Sequence, residues 1–324
     1  MKAAAIDRFG GPEVLTVHTL PVPEPGPREV LIEVHAAGVG VWDAGIRDGA
    51  DAPERARFPL VLGTDGAGLV VALGARVERF HITDRVWAYE YANPKGGFYA
   101  EYVAVNAERA GLVPRRLDLL QAGAGAVTGL TAVQGIDDHL EVSQGETVLI
   151  FGASGAVGTL AVQFAKRRLA RVLGTASGGG AATLVRQLGA DFVFDARRED
   201  EVERLRALAP DGLHAVLALA GGAALERCLD FLRVDARVAY PNGVEPAPRR
   251  RPGVRVVAYD AVAGPREFEH LDRAVDEAHL RVPIAAVYPL DRAAEAHARL
   301  AKGHVLGRIV LRTRDGQAAG APSE

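Results

Sequence analysis

The sequence predicts an α/β protein, a doubly wound parallel sheet joined to a β-rich domain, and three observations carry that expectation. Short β-type runs separated by Gly and Pro fill residues 1 to about 120, the texture of many short strands with frequent turns. From about 121 onward apolar runs alternate with helical stretches, the crossovers that parallel neighbours require. A glycine triplet, Gly152, Gly155 and Gly158, stands where the first of those apolar runs meets the first helix. With 324 residues, the chain has length for two ordinary domains.

In the first region VLTVHTL, EVLIEVHAAGV, FPLVLG, GAGLVVALG, DRVWAYEY and YAEYVAV read as strands. Pro21, Pro23, Pro25 and Pro27 exclude a helix or central strand, so that segment is a surface connection. In the second region TVLIFGA, RVLGTA, DFVFDA, HAVLALA, RVAYPNG and VRVVAYD give six strands, the number in a full dinucleotide-binding domain. Helices are expected at AVGTLAVQFAKRRLA and at about 180–188, 198–208 and 223–233. The last 60 residues hold a helix (FEHLDRAVDEAHL), a strand, a helix (DRAAEAHARLAKG) and a final strand (RIVLR). The small, polar ending RDGQAAGAPSE is expected to fray.

Composition narrows the function. Hydrophobic residues at 48% and charged residues at 24% exclude a disordered or collagenous chain. Lys plus Arg (38) nearly balances Asp plus Glu (41), so a net charge of −3 offers no general attraction to nucleic acid or anionic membranes. The one basic run, Arg249 to Arg251, lies between prolines and reads as a solvated loop. Cys228 is the single cysteine, which rules out an intrachain disulfide and a site built from several thiolates. Asp7 and Arg8 interrupt the place of a signal-peptide core, and no apolar run approaches the roughly 20 residues that span a bilayer. A cytoplasmic protein acting on a small molecule is the expectation.

TVLIFGASGAVGTLAVQFAK carries the chemistry. A dinucleotide pyrophosphate needs close backbone approach, free N–H groups and the positive end of a helix dipole, and glycines at a strand-to-helix junction permit all three. The expected contacts are Gly152, Ala153, Ser154, Gly155, Ala156, Val157 and Gly158. An acid for the adenosine ribose diol belongs about 20 residues later, at the tip of the second strand. That tip reads GTASGGG, with Thr175 and Ser177 and no carboxylate, so hydroxyls and glycine N–H groups can receive the 2′-phosphate of NADPH. The first basic residue after Ser177 is Arg186, read as part of a solvated helix face. Gly221 and Gly222 after HAVLALA, and Asn242 and Gly243 one strand later, fall at the carboxyl edge of the sheet, where ligands sit.

GASGAVGTLAVQFAK, LGAD, FPLVLGTDGAGLVVALGARVERFHITDRVWAY, GGFYAEYVAV, GLTAVQGI and AEAHARLAKGHVLGRIVL together resemble the medium-chain dehydrogenase/reductases, in their zinc-free quinone oxidoreductase branch. The resemblance runs from Met1 to about Arg312. It implies a GroES-like substrate domain from residues 1–120 plus 265–324, with a Rossmann dinucleotide-binding domain, 121–264, inserted. It also implies a homodimer through the last sheet strand and a place for Thr131 near the nicotinamide; the ordinary reading of that threonine is a helix hydroxyl bonded back to the preceding turn. The implied reaction is hydride transfer from NADPH to a quinone or conjugated enone. The alternatives are an enoyl or enone reductase of a biosynthetic pathway, or a non-catalytic NADPH-binding sensor.

Departures from the family pattern bear on the chemistry. Asp43 and Thr64, followed by Asp65, stand where zinc-dependent relatives carry metal ligands, and threonine cannot replace histidine there, so no metal is expected. Gly40 stands at the place of an Asn common in quinone reductases, and no tyrosine lies around Ala50, the place of one in enoyl reductases. Carbonyl polarisation then falls to hydrogen bonds. Of the clustered Tyr89, Tyr91 and Tyr99, Tyr99 is the candidate proton donor, and Asp43 is the second catalytic candidate.

Overall fold

The computed structural model describes residues 1–54 and 56–314; most of the expected polar tail, 315–324, lies outside the described residues. The N-terminal region runs β1 (Lys2–Ile6), β2 (Thr16–Thr19), β3 (Glu29–Val39), α1 (Val41–Asp48), β4 (Leu60–Val61), β5 (Asp65–Leu73), β6 (Arg85–Tyr89), β7 (Tyr102–Asn106) and β8 (Ala110–Leu112). β1 was not expected from KAAAI, because alanine is a better helix former than strand former. It is a strand because it pairs on both sides, with β2 and β4, and buries Ala3, Ala4, Ala5 and Ile6. α1 was also unforeseen in VWDAGIRD. It is held at its start by its own third residue, where the Asp43 carboxylate accepts the N–H of the N-cap residue Gly40 at 2.8 Å.

The helix α2 (Leu119–Gln134) begins at Asp118, whose carboxylate accepts the Gln121 N–H while the Gln121 side chain accepts that of Asp118. It crosses the expected boundary at 120 and is buried almost all round. Its close approach to β3 depends on Gly123, where a Cβ would lie 2.6 Å from the Ala36 side chain. One core cluster therefore runs from Ala36, Ala67 and Trp87 through α2 into the second sheet, binding the two halves together.

That second half runs β9 (Thr147–Phe151), α3 (Ala156–Arg167), β10 (Arg171–Thr175), α4 (Gly179–Gln187), β11 (Phe192–Phe194), α5 (Glu199–Glu203), α6 (Leu205–Leu208), β12 (Leu213–Ala218), α7 (Ala223–Leu229), β13 (Leu232–Pro241) and β14 (Arg255–Tyr259). All six strands are parallel, in the order β11-β10-β9-β12-β13-β14, with helices in every connection except the loop from β13 to β14. This is the expected doubly wound sheet, and its order reverses beside β9. Two helix expectations are corrected: 198–208 is broken at Arg204, and the helix from 223 stops at Leu229. The charged LRVDARV opens β13 instead, with Asp235 at φ 63° and a register shift against β12 that the strand pattern hides.

The chain returns through α8 (Pro265–Glu277), β15 (Ile284–Pro289), α9 (Ala293–Ala301) and β16 (Arg308–Arg312). β16 pairs antiparallel with β3, so the C-terminal segment completes the N-terminal sheet. No described helix is long and apolar enough to cross a membrane.

Candidate active site

The glycine turn after β9 faces the sheet's switch point. Gly152 sits at φ 91°, a conformation that favours glycine, and its N–H donates to Thr175 Oγ1 at 2.8 Å. Ala153 is enclosed, its N–H held by the Thr175 carbonyl at 3.1 Å. Ser154 lines the cleft, and its carbonyl accepts the Gly307 N–H at 3.0 Å. Gly155 caps α3, and a Cβ there would meet only the Gly152 carbonyl oxygen at 3.6 Å. Ala156 and Val157 open the helix, whose first N–H groups have no intrahelical acceptor. Gly158 serves packing, since its Cβ would lie 2.2 Å from the Gly152 carbonyl oxygen.

A cleft of about 310 Å³ extends from this turn along the ends of β10, β11 and β12. Phe151, Gly152, Ser154, Thr175, Ser177 and Gly221 line it, so these motif and edge residues converge as expected. Thr175 is largely committed, however, to supporting Gly152. The tip of β10 carries no carboxylate, as its sequence reads, but Asp195, from the end of β11, accepts the Ser177 hydroxyl at 3.3 Å and also lines the cleft. Arg197 stands there too, gripping Asp195 through Nη2 at 2.6 Å and Nε at 3.0 Å. The search along β10 missed both because the neighbouring parallel strand ends at the same edge. The Arg197 hydrogen bond holds the Asp195 carboxyl down at about 2.

Thr131 is not among the cleft-lining residues. Its hydroxyl donates to the Val127 carbonyl at 2.8 Å, the helix-internal bond that is its ordinary reading, and its carbonyl accepts the Tyr259 hydroxyl. Asn242 and Gly243 lie at the seam between the two sheets instead of lining that cleft. Asn242 Nδ2 donates to Asp260 at 2.8 Å. Gly243, at φ 87°, receives the Trp42 ring from α1, which would lie 2.8 Å from a Cβ.

The two catalytic candidates prove to be enclosed. Asp43 and Tyr99 are 0% exposed, so neither can touch a substrate as the structure stands. Arg47 Nη1 donates to His297 Nδ1 at 2.9 Å, which puts the neutral imidazole proton on Nε2, 3.1 Å from the Tyr99 oxygen. Burial followed by the Asp43 charge pushes the Tyr99 phenol well up. Burial pushes His297 down to about 3. Asp43 accepts the N–H groups of Gly40 and Thr64. Burial, opposed by Arg308 and reinforced by Asp65, raises the Asp43 carboxyl to about 6.

Arg308, which motif reading did not single out, completes this cluster. Its Nη2 lies 2.8 Å from Asp65 Oδ1, with the two side chains 7% and 0% exposed. Val127 N–H donates to the other Asp65 oxygen at 3.2 Å. The guanidinium fits because Gly38 and Gly40 leave it room: Cβ atoms there would fall 2.7 and 3.1 Å from Nη2. Gly307, the preceding residue, ties Arg308 to the glycine turn by donating its N–H to the Ser154 carbonyl.

Tyr89, at the end of β6 opposite Asp65, is half-buried and its hydroxyl has no hydrogen-bond partner among the described residues. Burial first, then the charges of Asp65 and Asp260, push its phenol up to about 12. It therefore senses one carboxylate from each side of the seam. Tyr91 is committed to the Asp51 carbonyl at 2.8 Å.

Residues 26–115 match the family of alcohol dehydrogenase GroES-like domains, and residues 188–311 match the zinc-binding dehydrogenase family. The quinone oxidoreductase of Sus scrofa is 32% identical over 309 residues, 92% of this chain and 93% of that protein. The chain belongs to the quinone oxidoreductase branch of the medium-chain dehydrogenase/reductases. Solved structures in the superfamily agree in fold across 97% of the chain. An NAD-dependent alcohol dehydrogenase superposes with a TM-score of 0.90 at 30% identity, covering 100% of that chain. The Escherichia coli quinone oxidoreductase complexed with NADPH gives 0.84 at 27% identity, again over 100% of its chain. The Rossmann and GroES-like halves are thus those of an oxidoreductase of this branch.

Zinc, which one of the matching families binds, does not suit the residues present. Among the described residues no three His, Cys, Asp or Glu side chains are grouped to hold a metal. Arg308 already supplies a cation to the buried acids, and the Thr64 hydroxyl beside them is buried without a hydrogen-bond partner.

Proposed function

We propose that this oxidoreductase uses NADPH, without a metal, to reduce a quinone or conjugated enone in the cleft between its domains, taken as 1–120 with 265–324 and 121–264. The observation that carries this reading is the buried Arg308 guanidinium held by Asp65 beside Asp43, a fixed protein cation among the residues that resemble the metal-ligand places of zinc-dependent relatives. NADPH is favoured over NADH by the coenzyme seen in the E. coli relative and by Arg197 at the ribose end. NADPH, when bound, supplies hydride from its nicotinamide C4. The chain's own work is positional. The first turn of α3 and Ser154 hold the pyrophosphate, and the Trp42 ring against Gly243 closes the seam to water. Tyr89, protonated at neutral pH, replaces Tyr99 as the phenol that donates to the substrate oxygen.

Tyr89→Phe is accordingly expected to lower kcat by about 100-fold while leaving NADPH affinity unchanged; an unaltered kcat would remove Tyr89 from the reaction. For the reaction itself, NADPH oxidation is measured with benzoquinone, naphthoquinone and simple enones after exhaustive chelation. Turnover that survives chelation is expected. Stoichiometric zinc lost together with activity would overturn the metal-free reading, and coenzyme binding with no turnover on any acceptor would favour a sensor. We further propose a cytoplasmic homodimer, formed through β14, which pairs on one side only, with β13. The buried Cys228, its thiol pushed up to about 12 by burial, suits a reducing compartment.

A further inference from the structure

We infer that Trp42, on α1, sets the size of the acceptor this protein reduces, its indole ring narrowing the seam between the domains to flat, uncharged carbonyl compounds of a single ring. The inference rests on the quinone and enone reading above and adds to it the residue that selects among such acceptors.

The indole is fixed from both sides of the seam. On its own side, α1 buries Asp43, Ile46 and Arg47, the i, i+3, i+4 face of a helix, and leaves Val41 exposed and Trp42 half-buried. That rotation of the helix is pinned near both ends. The Asp43 carboxylate accepts the N–H groups of Gly40 and Thr64 at 2.8 and 3.0 Å, and Arg47 Nε donates to the Gly10 carbonyl at 2.9 Å. Across the seam, the six-membered ring of Trp42 lies over Gly243, where a Cβ would fall 2.8 Å from Cη2 and 3.1 Å from Cζ3. At φ 87° that backbone also favours glycine, so the ring packs on bare main chain. The turn carrying Gly243 is tied to the end of β14: the Asn242 N–H donates to the Tyr259 carbonyl at 2.9 Å, and Asn242 Nδ2 donates to Asp260 at 2.8 Å. The loop beyond β14 is held in its turn. Gln134 Nε2 donates to the Val262 carbonyl at 2.8 Å while its Oε1 accepts the Val262 N–H at 3.0 Å, and Arg109 Nη1 donates to the Ala263 carbonyl at 2.9 Å. With both backbones anchored, the indole is a fixed bar across the seam and not a swinging lid.

The same anchors put Trp42 beside the phenol assigned to proton donation. After burial and the Asp65 charge, Asp260 is the next group that raises the Tyr89 phenol, and Asp260 is bonded to the residue preceding Gly243. Burial and then the charges of Asp51, Asp43 and Asp260 raise the Tyr91 phenol, which places it on the same seam. Val41, Tyr91 and Val262 are exposed large apolar side chains on the elements that meet here. An apolar surround with few polar groups suits a flat, uncharged acceptor, and the exposed Asp260 carboxylate disfavours an anionic one. Apolar contacts discriminate by fit, and a wall that cannot yield rejects a further ring. Removing the indole leaves space into which anchored backbones cannot collapse, so a larger acceptor gains it.

The test measures NADPH oxidation by the full chain at saturating NADPH, with benzoquinone, naphthoquinone and phenanthrenequinone as acceptors, for the parent protein, Trp42→Ala and Trp42→Phe. For each protein, kcat/KM for the two larger quinones is divided by that for benzoquinone, and the variant is compared with the parent, which cancels the intrinsic reactivity of the acceptors. Trp42→Ala is expected to raise both ratios at least tenfold, and Trp42→Phe to raise them by less, because phenylalanine keeps a smaller ring over Gly243. Circular dichroism and the thermal midpoint establish that each variant is folded, and Trp42→Phe decides the matter if the alanine variant is not. A role confined to holding α1 in place would lower kcat/KM for all three quinones together, and unchanged ratios in a folded variant would overturn the inference. Ratios that fall would make the indole a stacking platform for the acceptor and overturn it equally. If the parent protein binds NADPH and reduces none of the three quinones nor a simple enone, the reaction proposed above fails and this inference fails with it.

Discussion

Gly155→Val is expected to weaken NADPH binding at least tenfold, about 1.4 kcal/mol, in a protein that still folds. The backbone at Gly155 is extended, with φ −78° and ψ 177°, so a branched residue meets no conformational penalty there. A Cβ at this position would touch only the Gly152 carbonyl oxygen, at an ordinary 3.6 Å. The added methyl groups instead enter the space before the first N–H groups of α3, where a pyrophosphate must approach. Gly158→Val provides the contrast. Its Cβ would fall 2.2 Å from Gly152 O and 2.7 Å from Ala153 Cα, so that variant should lose stability before any question of binding arises. Fluorescence titration beside circular dichroism separates the two. An unchanged NADPH affinity in folded Gly155→Val would mean that the phosphates do not lie on this turn.

Arg308→Ala is expected to cost about 3 to 5 kcal/mol of folding stability at pH 7, the usual loss when one partner of a buried ion pair is removed. The variant leaves Asp65, and Asp43 beside it, buried without their cation. Both carboxyls already titrate above the 3.8 of a free aspartate, Asp43 at about 6, because burial outweighs the attraction of Arg308. The folded protein therefore binds protons more tightly than the unfolded chain. Stability from these groups is fully present below pH 3.8 and declines as pH rises through about 6. Removing Arg308 raises both carboxyls further and widens that window. Urea unfolding at pH 7 and pH 5 should then show the variant regaining part of its loss at the lower pH. Arg308→Met combined with Asp65→Asn, which removes both charges of the ion pair, should recover much of the stability. A single variant equally stable at pH 7 and pH 5 would show that the acids are not held as described.

The doubly wound sheet was legible because its evidence is local. Each apolar strand, each intervening helix and the Gly152, Gly155, Gly158 spacing lies within a short stretch of chain, and hydrophobic period reports element type directly. α1 and β1 were not legible, since VWDAGIRD and KAAAI have the wrong intrinsic preferences; Asp43 and two-sided strand pairing override them. The same division runs through the site. The glycine turn could be named from sequence, as could Ser177, which lines the same cleft.

What sequence could not assign was the partner of each polar side chain. Tyr99 was a reasonable phenol within a run of glycine and aromatic residues, yet it is fully buried, its hydroxyl 3.1 Å from His297 Nε2. Arg308 lies 243 residues from Asp65, and Asp195 lies 18 from Ser177 on another strand. The sequence by itself determined the alternation of strands and helices, the glycine turn after β9 and the absence of a cysteine ligand set, because these depend on residue type and near-neighbour spacing. Only the tertiary structure decided which charges are paired, which phenol is sealed from solvent and which strand brings an acid and a base to the cleft beside Ser177, because electrostatics and solvent access act through space, between residues that the chain keeps far apart.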